Sequence, residues 1–594
     1  MTVFGAAVNT PMILMVIFRL SFLLLSLASA VAQSPTNLVA HFVDVAEESG
    51  IKLSITFGGK AEKKYIIETT GTGVAIIDYD NDGYPDIYFV NGTTLDTKSG
   101  VATSKLFRNN HDGAFTDLTE KAGVGLSGWG QGACVGDYDN DGFDDLYVTY
   151  FGKNHLFHNL GNGKFADVTD KAGVGGSGHD WGAGCAFVDY DRDGKADLAV
   201  ANYVDFDLAT APKPGETVTC TWKGVPVMCG PRGLKAARNV LFHNLGNGKF
   251  QDVSLKAGFD KTTGHYCLSV SPLDHDDDGW PDIYMACDST PSILYRNNRN
   301  GTFTDVGISA GVALNEDGRE QAGMGSTVGD YNGDGRFDIF KTNFSDDTST
   351  LYQNHGNGTF SDMTFAAGLG FNTQYLGWGT MFVDFDNDSW PDIIVVNGHV
   401  YPEVDRQQLG STYEQPRLLY RNLANGKFAD VGSAAGPAFQ DRFSGRGLAL
   451  ADFWNDGRMS AVIANMNAPV SLLVNEMKNS NHWVAFRTIG TKSNRDGLGA
   501  KITVRIDKRS LVDEVRSGSS YNSNNDMRVH FGLGDATKID SVEVRWPSGL
   551  TEVFKANIDT FNELREGSGT PVRRSTGPLT EQAIDPRPPS PTKP

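Results

Sequence analysis

Beyond the N-terminal region, no apolar run approaches the ~18 residues that a membrane-spanning helix needs, so no span is expected in the mature chain. Basic residues are in deficit: 52 Lys and Arg face 72 Asp and Glu, a formal net charge of −20. A surface of that sign argues against nucleic acid and anionic membranes as partners. Cysteine is scarce, with six in 594 residues, and no two stand in a C-x-x-C pair with zinc spacing. No P-loop, dinucleotide fingerprint or Ser-His-Asp cue stands in a supporting context, so no catalytic constellation is identified and an enzyme is not expected.

Glycine, by contrast, is abundant at 69 residues, and the acidic residues are clustered. The stretch "DYDNDGYPD" at 78–86 returns as "DYDNDGFDD", "DYDRDGKAD", "DHDDDGWPD", "DYNGDGRFD" and "DFDNDSWPD". The copies begin at Asp78, Asp137, Asp189, Asp274, Asp330 and Asp384, and a degraded copy, "DFWNDGRMS", begins at Asp452. Each follows Gly and an apolar stretch and precedes a β-branched or aromatic run, which reads as two strands about a turn. A second signature follows, as in "LFHNLGNGKFADVTDKAGV", where an NG turn joins two more short strands. Seven four-stranded units suit a closed propeller, an all-β fold that leaves few sheet edges exposed. "HFVDV" near the start and "SLLVNEM" near 475 each supply half of a hairpin, so one blade is expected to be completed by both chain ends.

In D-x-D-x-D-G-x-x-D the side chains at positions 1, 3, 5 and 9 and the carbonyl at position 7 can converge on one point, with Gly allowing the sharp turn. Hard oxygen ligands of this number and charge suit Ca2+; without a cation the carboxylates repel one another. The expected ligands are Asp78, Asp80, Asp82, Tyr84 (carbonyl) and Asp86; Asp137, Asp139, Asp141 and Asp145; Asp189, Asp191, Asp193 and Asp197. They continue with Asp274, Asp276, Asp278 and Asp282; Asp330, Asn332, Asp334 and Asp338; Asp384, Asp386, Asp388 and Asp392. Ser389 replaces Gly in the sixth turn and should strain it, and the seventh, with only Asp452 and Asp456, is expected to be empty. Six Ca2+ add twelve positive charges and take −20 to −8, so much of the acidity is ligand charge of a mainly structural kind.

These turns resemble the FG-GAP/VCBS repeat of integrin-like calcium-binding β-propellers, over residues 39–478. The segments "NHWVAFRTIGTKSNRDGLGAKITVR" and "HFGLGDATKIDSVEVRWPSGLTEVF" resemble the ASPIC/UnbV domain, over 481–566. Together they resemble the secreted cartilage acidic protein family, bacterial members included, which implies an extracellular calcium-binding protein with adhesive or recognition roles. The reading is a seven-bladed integrin-like β-propeller followed by a small β-rich domain, in which Asn494, Arg495, Asp496, His530 and Trp546 serve turns and core. The Pro-rich tail 567–594 is expected to be disordered. Arg19, the apolar Leu20 to Leu27 and "ASAVAQS" read as a signal peptide over 1–32, cleaved after Ala30 or Ala32, with an uncleaved anchor as the alternative. The mature chain is then secreted or extracytoplasmic.

In that oxidising setting Cys220 and Cys229, which share one Gly/Pro-rich loop, are expected to pair. Cys134, Cys185, Cys267 and Cys287 lie in strand-like segments and read as buried apolar fillers. Long insertions follow blades one, three and six and fall on the face opposite the acidic turns. Candidate contacts for a protein or glycan ligand there are Trp129, Trp181, Trp222, Lys223, Arg232, Trp378, His399 and Tyr401. A non-catalytic recognition or adhesion module is the leading reading. The alternatives are a structural cell-envelope scaffold and a polysaccharide-processing enzyme, for which Asp205, Asp207, Glu216, Glu403 and Asp405 offer carboxylates but no fixed pair.

Overall fold

The computed structural model describes residue 2 and residues 39–572, except 97–101, 177, 179 and 408. Apart from Thr2, the expected signal segment 1–32 lies outside the described residues, as does the chain beyond 572.

Seven four-stranded antiparallel sheets follow one another along the chain. Their first strands are Val74–Ile77, Gly130–Gly136, Gly182–Val188, Cys267–Leu273, Ser326–Gly329, Gly377–Val383 and Gly445–Ala451, defining blades 1 to 7. Each first strand touches those of its two neighbours, so the seven close a ring around a channel. Blade 7 takes its fourth strand from the other end of the propeller: Phe42–Asp44 pairs with Ser471–Asn475, Phe42 opposite Asn475. The expected closure by both chain ends is therefore the observed one. It buries sheet edges that would otherwise offer unpaired N–H and C=O groups.

The channel-lining strands are glycine-rich because other backbones approach them closely. A Cβ at Gly132 would sit 2.9 Å from the Ala183 carbonyl oxygen of the next blade. One at Gly73 would sit 1.6 Å from the carbonyl oxygen of Asn522, which belongs to the C-terminal domain.

That domain has two sheets. His482–Ile489 lies between Val529–Gly534 and the parallel Phe561–Arg565, and a five-stranded sheet holds Arg509–Glu514, Lys501–Ile506, Ser541–Arg545, Thr551–Phe554 and Thr570–Pro571. Val484, Phe486, Ile502, Val504, Phe531, Val542, Val544 and Trp546 fill the space between. Because Thr570–Pro571 pairs with Glu552 and Val553, ordered chain runs past the boundary expected at 566.

Residues 517–526 of this domain, "SGSSYNSNND", plug the channel and hydrogen-bond to every blade. Asn524 N donates to Val74 O of blade 1 at 3.0 Å, and Ala133 N of blade 2 donates to Asn522 O at 3.2 Å. Ser517 Oγ accepts from Phe187 N of blade 3, and Ser519 N donates to Val270 O of blade 4. Ser520 exchanges two backbone bonds with Ser326 of blade 5, while its Oγ accepts from Thr380 N of blade 6. Asp526 N donates to Leu450 O of blade 7. A channel lined by strand backbone needs polar partners, and short hydroxyl and amide side chains supply them.

The cysteines correct one expectation. Besides the expected Cys220–Cys229 disulfide, Cys134 pairs with Cys185 and Cys267 with Cys287. Cys267 and Cys287 are direct cross-strand partners in blade 4, and Cys134 and Cys185 lie on adjoining first strands, with Cα atoms 5.7 Å apart. Burial and disulfide bonding coincide here because strand neighbours bring the thiols together.

Candidate metal centres

Each acidic turn joins the first and second strands of its blade, and backbone donors fold it tightly. The position-1 carboxylate accepts the N–H groups of positions 5 and 6, as Asp137 does from Asp141 (3.0 Å) and Gly142 (2.7 Å), except in the third turn, where Asp189 accepts from Gly194 at position 6 (3.2 Å). Position 6 is left-handed, with φ between 81° and 95° at Gly83, Gly142, Gly194, Gly279, Gly335 and Gly457. Ser389 holds the same place at φ 72°, so the sixth turn carries the strain its sequence implies. Arg509, stacked 4.2 Å over Trp390, donates to the Ser389 hydroxyl and, at 2.9 Å, to its carbonyl.

The position-9 aspartates open the second strands and are buried: Asp86, Asp145, Asp197, Asp282, Asp338 and Asp392 are at most 2% exposed. One oxygen of each accepts the N–H of an asparagine on the third strand: Asn109, Asn159, Asn244, Asn297, Asn354 and Asn422, at 2.7–2.9 Å. The motif's carboxylate oxygens then converge. Asp78, Asp80 and Asp86 offer oxygens within 4.8 Å of one another, as do Asp137, Asp139 and Asp141; in the third and fourth turns His243 and His275 join the carboxylates. Asp80, Asp189, Asp191, Asp276, Asp338 and Asp392 each bury one oxygen that has no hydrogen-bond partner among the described residues.

Leaving those oxygens unmatched is costly. Burial, with Asp191 and Asp193 adding repulsion, raises the Asp189 carboxyl to about 7; burial raises Asp145 to about 7 and Asp197 to about 8. Burial likewise lifts Asp274 to about 7 and Asp330 to about 6. Protein cations offset part of this charge. Arg108 reaches Asp80 (2.7 Å) and Asp82 (3.1 Å), and His158 and His243 lie 3.1 Å from Asp145 and Asp197. The seventh turn differs: Trp454 and Ser460 stand at positions 3 and 9, and Arg458 pairs with Asp456.

A closed ring of amides and a second, interrupted set tie the turns together, neither anticipated from the motif. The third-strand asparagines donate Nδ2 to the position-2 carbonyl of the preceding blade: Asn109 to Phe453, Asn159 to Tyr79, Asn244 to Tyr138, Asn297 to Tyr190. Asn354 to His275, Asn422 to Tyr331 and Asn475 to Phe385 complete the circle. At position 4, Asn81, Asn140, Asn387 and Asn455 donate to the position-6 carbonyl of the next blade. Blades 3 to 5 carry Arg192, Asp277 and Gly333 there instead. Lys501 of the C-terminal domain bridges Asp277 and the Gly335 carbonyl, both at 3.1 Å, so it makes the link that an amide makes elsewhere.

The same domain touches the acidic turn of every blade. Arg495 N donates to Asn140 Oδ1, Asp137 N to Asp496 Oδ2, and Asn494 Nδ2 to Asp189 Oδ2. Arg487 holds Asn81, Arg545 pairs with Asp274, and Arg528 reaches the Asp452 carbonyl. Asn494, Arg495 and Asp496, read as turn residues, therefore secure the domain to blades 2 and 3. Trp546 and His530 do lie in the core, and burial lowers His530 to about 4.

At the opposite ends of the first strands the ligand candidates divide. Trp181 and Trp378 are buried, and so are His399 and Tyr401, contrary to the expectation of an exposed face. Trp378 donates to Gly398 O (2.8 Å) and packs between Arg446 and Tyr521; Trp129 is half-buried against Phe57. Trp222 is half-exposed, and Lys223 and Arg232 are exposed. Asp205, Asp207, Glu216 and Asp405 are exposed and Glu403 is half-buried.

Residues 78–148, 137–200, 274–341 and 330–395 match the FG-GAP-like repeat, and 490–571 match the ASPIC and UnbV family. The chain is an FG-GAP-repeat β-propeller with a C-terminal ASPIC/UnbV domain. Along most of its length it is similar to cartilage acidic protein 1, with 26% identity to the Mus musculus protein over 517 residues, 83% of this chain and 73% of that one. Identity to the Homo sapiens protein is 26% over 500 residues, 80% and 69% of the respective chains. Among solved structures, an Agrocybe aegerita lectin that recognises non-reducing terminal N-acetylglucosamine aligns at 17% identity and TM-score 0.35, over 67% of this chain and 86% of that one.

Proposed function

We propose that this protein is an extracytoplasmic, non-catalytic recognition module whose propeller is stabilised by about six Ca2+, one in each complete acidic turn. The carrying observation is the set of buried carboxylate oxygens without partners in five of those turns. The carboxylates at positions 1, 3, 5 and 9, with the position-7 carbonyl, would hold the ion, which supplies the positive charge that buried carboxylates otherwise lack. The role is structural: the turns lie under the C-terminal domain, away from the insertions. Ligand recognition, of an extracellular protein or glycan, falls to the insertion-bearing face around Trp222, Lys223 and Arg232. Three disulfides and the likeness to cartilage acidic protein 1 support the extracytoplasmic setting.

Thermal unfolding with Ca2+ and with EGTA, alongside native mass spectrometry, tests this reading. About six ions and a fall in Tm on the order of 10 °C in EGTA are expected, because a ligand bound only by the folded state stabilises it. No bound calcium and an unchanged Tm would overturn it.

A further inference from the structure

The first strands run from acidic turns at one end to a cavity of about 470 Å3 at the other, where Thr70, Leu268, Met324 and Trp378 precede or open them. Tyr521, in the plug, packs 4.7 Å from Trp378 and donates to the Thr70 carbonyl, so the cavity is a mouth closed from below. One wall is aromatic. The Trp222, Phe344 and Tyr401 rings all line it, with centroids 5.8–6.5 Å apart.

The charges in this mouth are unbalanced. Arg232 is committed to Glu320 (2.9 Å) and Lys223 to Asp346 (2.8 Å). Asp288 and Asp347 also line the cavity, and neither makes an ion pair among the described residues. Asp347 takes both its hydrogen bonds, from Gln321 Nε2 (3.0 Å) and Thr348 N (2.8 Å), on Oδ1, leaving Oδ2 unmatched. Among the described residues Asp288 accepts only the hydroxyls of Tyr203 (2.6 Å) and Ser289 (2.8 Å). The hydroxyl of Ser345, 6% exposed, also lines the cavity and has no hydrogen-bond partner among the described residues. Asp347 also supports the buried ammonium of Lys341, which does not line the cavity, and Arg232 partly offsets the charge of Asp288.

We infer that this cavity binds an organic cation, an ammonium group set against the aromatic wall with Asp288 and Asp347 as its counter-charges. A cation within ~6 Å of an aromatic centroid is attracted to the ring face, more strongly where water is excluded. Two carboxylates and an unmatched hydroxyl supply the acceptors an ammonium needs. Trp222 already carries one ammonium, Lys223 Nζ, 4.5 Å from its centroid. The inference deepens the proposed function and rests on its reading of this face as the recognition face.

Calorimetric titration of the full chain in Ca2+ tests it with choline, its neutral isostere 3,3-dimethylbutan-1-ol, and N-acetylglucosamine. Choline is expected to bind at least about tenfold more tightly than the isostere, and Asp347→Asn and Trp222→Ala each to weaken choline about tenfold. Thermal unfolding shows whether each variant is folded; Trp222 lies on an exposed two-stranded ribbon, so its variant serves if Asp347→Asn does not fold. Equal binding of choline and the isostere, or unaltered choline binding in both variants, overturns the inference. Binding of N-acetylglucosamine alone overturns it while leaving the recognition face standing. If no probe binds, the inference falls, and the calcium reading is judged separately by the EGTA experiment.

Discussion

Seven asparagines on the third strands each hold two blades with one side chain. In Asn244 the amide donates to Tyr138 O (2.7 Å) and Ala196 O (2.9 Å), and Oδ1 accepts from Gly246 N (2.9 Å). Asn244→Ala leaves two buried carbonyls and one N–H unmatched, and should cost about 2–4 kcal/mol, read as a lower urea midpoint. An unchanged midpoint would show that water replaces the amide. The carboxylates make a second prediction. Burial lifts Asp145, Asp189, Asp197 and Asp274 from an ordinary value near 4 to about 7–8 in the folded chain. A raised folded pKa contributes stability below the unfolded value and loses it as pH rises through the folded one. Metal-free protein should therefore lose stability steadily from about pH 4 to about pH 8, and saturating Ca2+ should abolish that slope. A flat metal-free profile would mean that the neighbouring histidines and arginines already neutralise the turns.

At the scale of the element, turn and plug were unequally readable. The acidic turn declares itself because its chemistry needs fixed residue types at fixed spacing, and seven copies gave the blade count. The plug has no such signature. "SGSSYNSNND" lacks apolar periodicity and resembles any surface loop, although Ser519, Ser520 and Asn522 are buried at φ 79°, 60° and 52°. Its partners are strand N–H and C=O groups brought together only by ring closure. Trp181 and Trp378 turn inward, against expectation, for a related reason: each abuts or opens a first strand whose register shifts within the next few residues, so alternation alone does not say which way the ring turns. The disulfides of Cys134, Cys185, Cys267 and Cys287 likewise depend on which strands become neighbours. Asn524 offers the direct test of the plug, since its Oδ1 accepts from Val135 N (3.2 Å), Gly518 N (2.7 Å) and Ser517 Oγ (3.1 Å). Asn524→Ala should destabilise the whole chain by about 3 kcal/mol in chemical denaturation. Loss below 0.5 kcal/mol, on the order of a surface substitution, would demote the plug to a passive filler.

Over the whole molecule, propeller and C-terminal domain act as one body. The domain lies against every acidic turn, its plug reaches every blade, and its Lys501 joins blades 4 and 5 where the linking amide is lacking. Removing it would uncap polar groups around the entire ring at once, a cost far beyond a single contact. A chain ending at residue 478 is therefore expected to populate an expanded, protease-sensitive state even in Ca2+, and limited proteolysis with tryptophan fluorescence would reveal it. A compact, cooperatively melting fragment would show that the blades suffice. The shared contacts also predict one unfolding transition for the full chain, checked by coincidence of fluorescence and circular dichroism melts.

The plug has a consequence for how the protein comes into being. A ribosome makes blade 1 long before it makes Asn522 and Ser520, and Phe42–Asp44 waits for Ser471–Asn475 before it has a partner. Almost every stabilising pairing across the channel thus joins segments distant in sequence, which slows folding by loop-closure entropy. The nascent ring stays open, with bare edges, until residues 471–526 arrive, and so the chain depends on being kept from premature association while it is being made. A segment synthesised after all seven blades is the keystone of the arch.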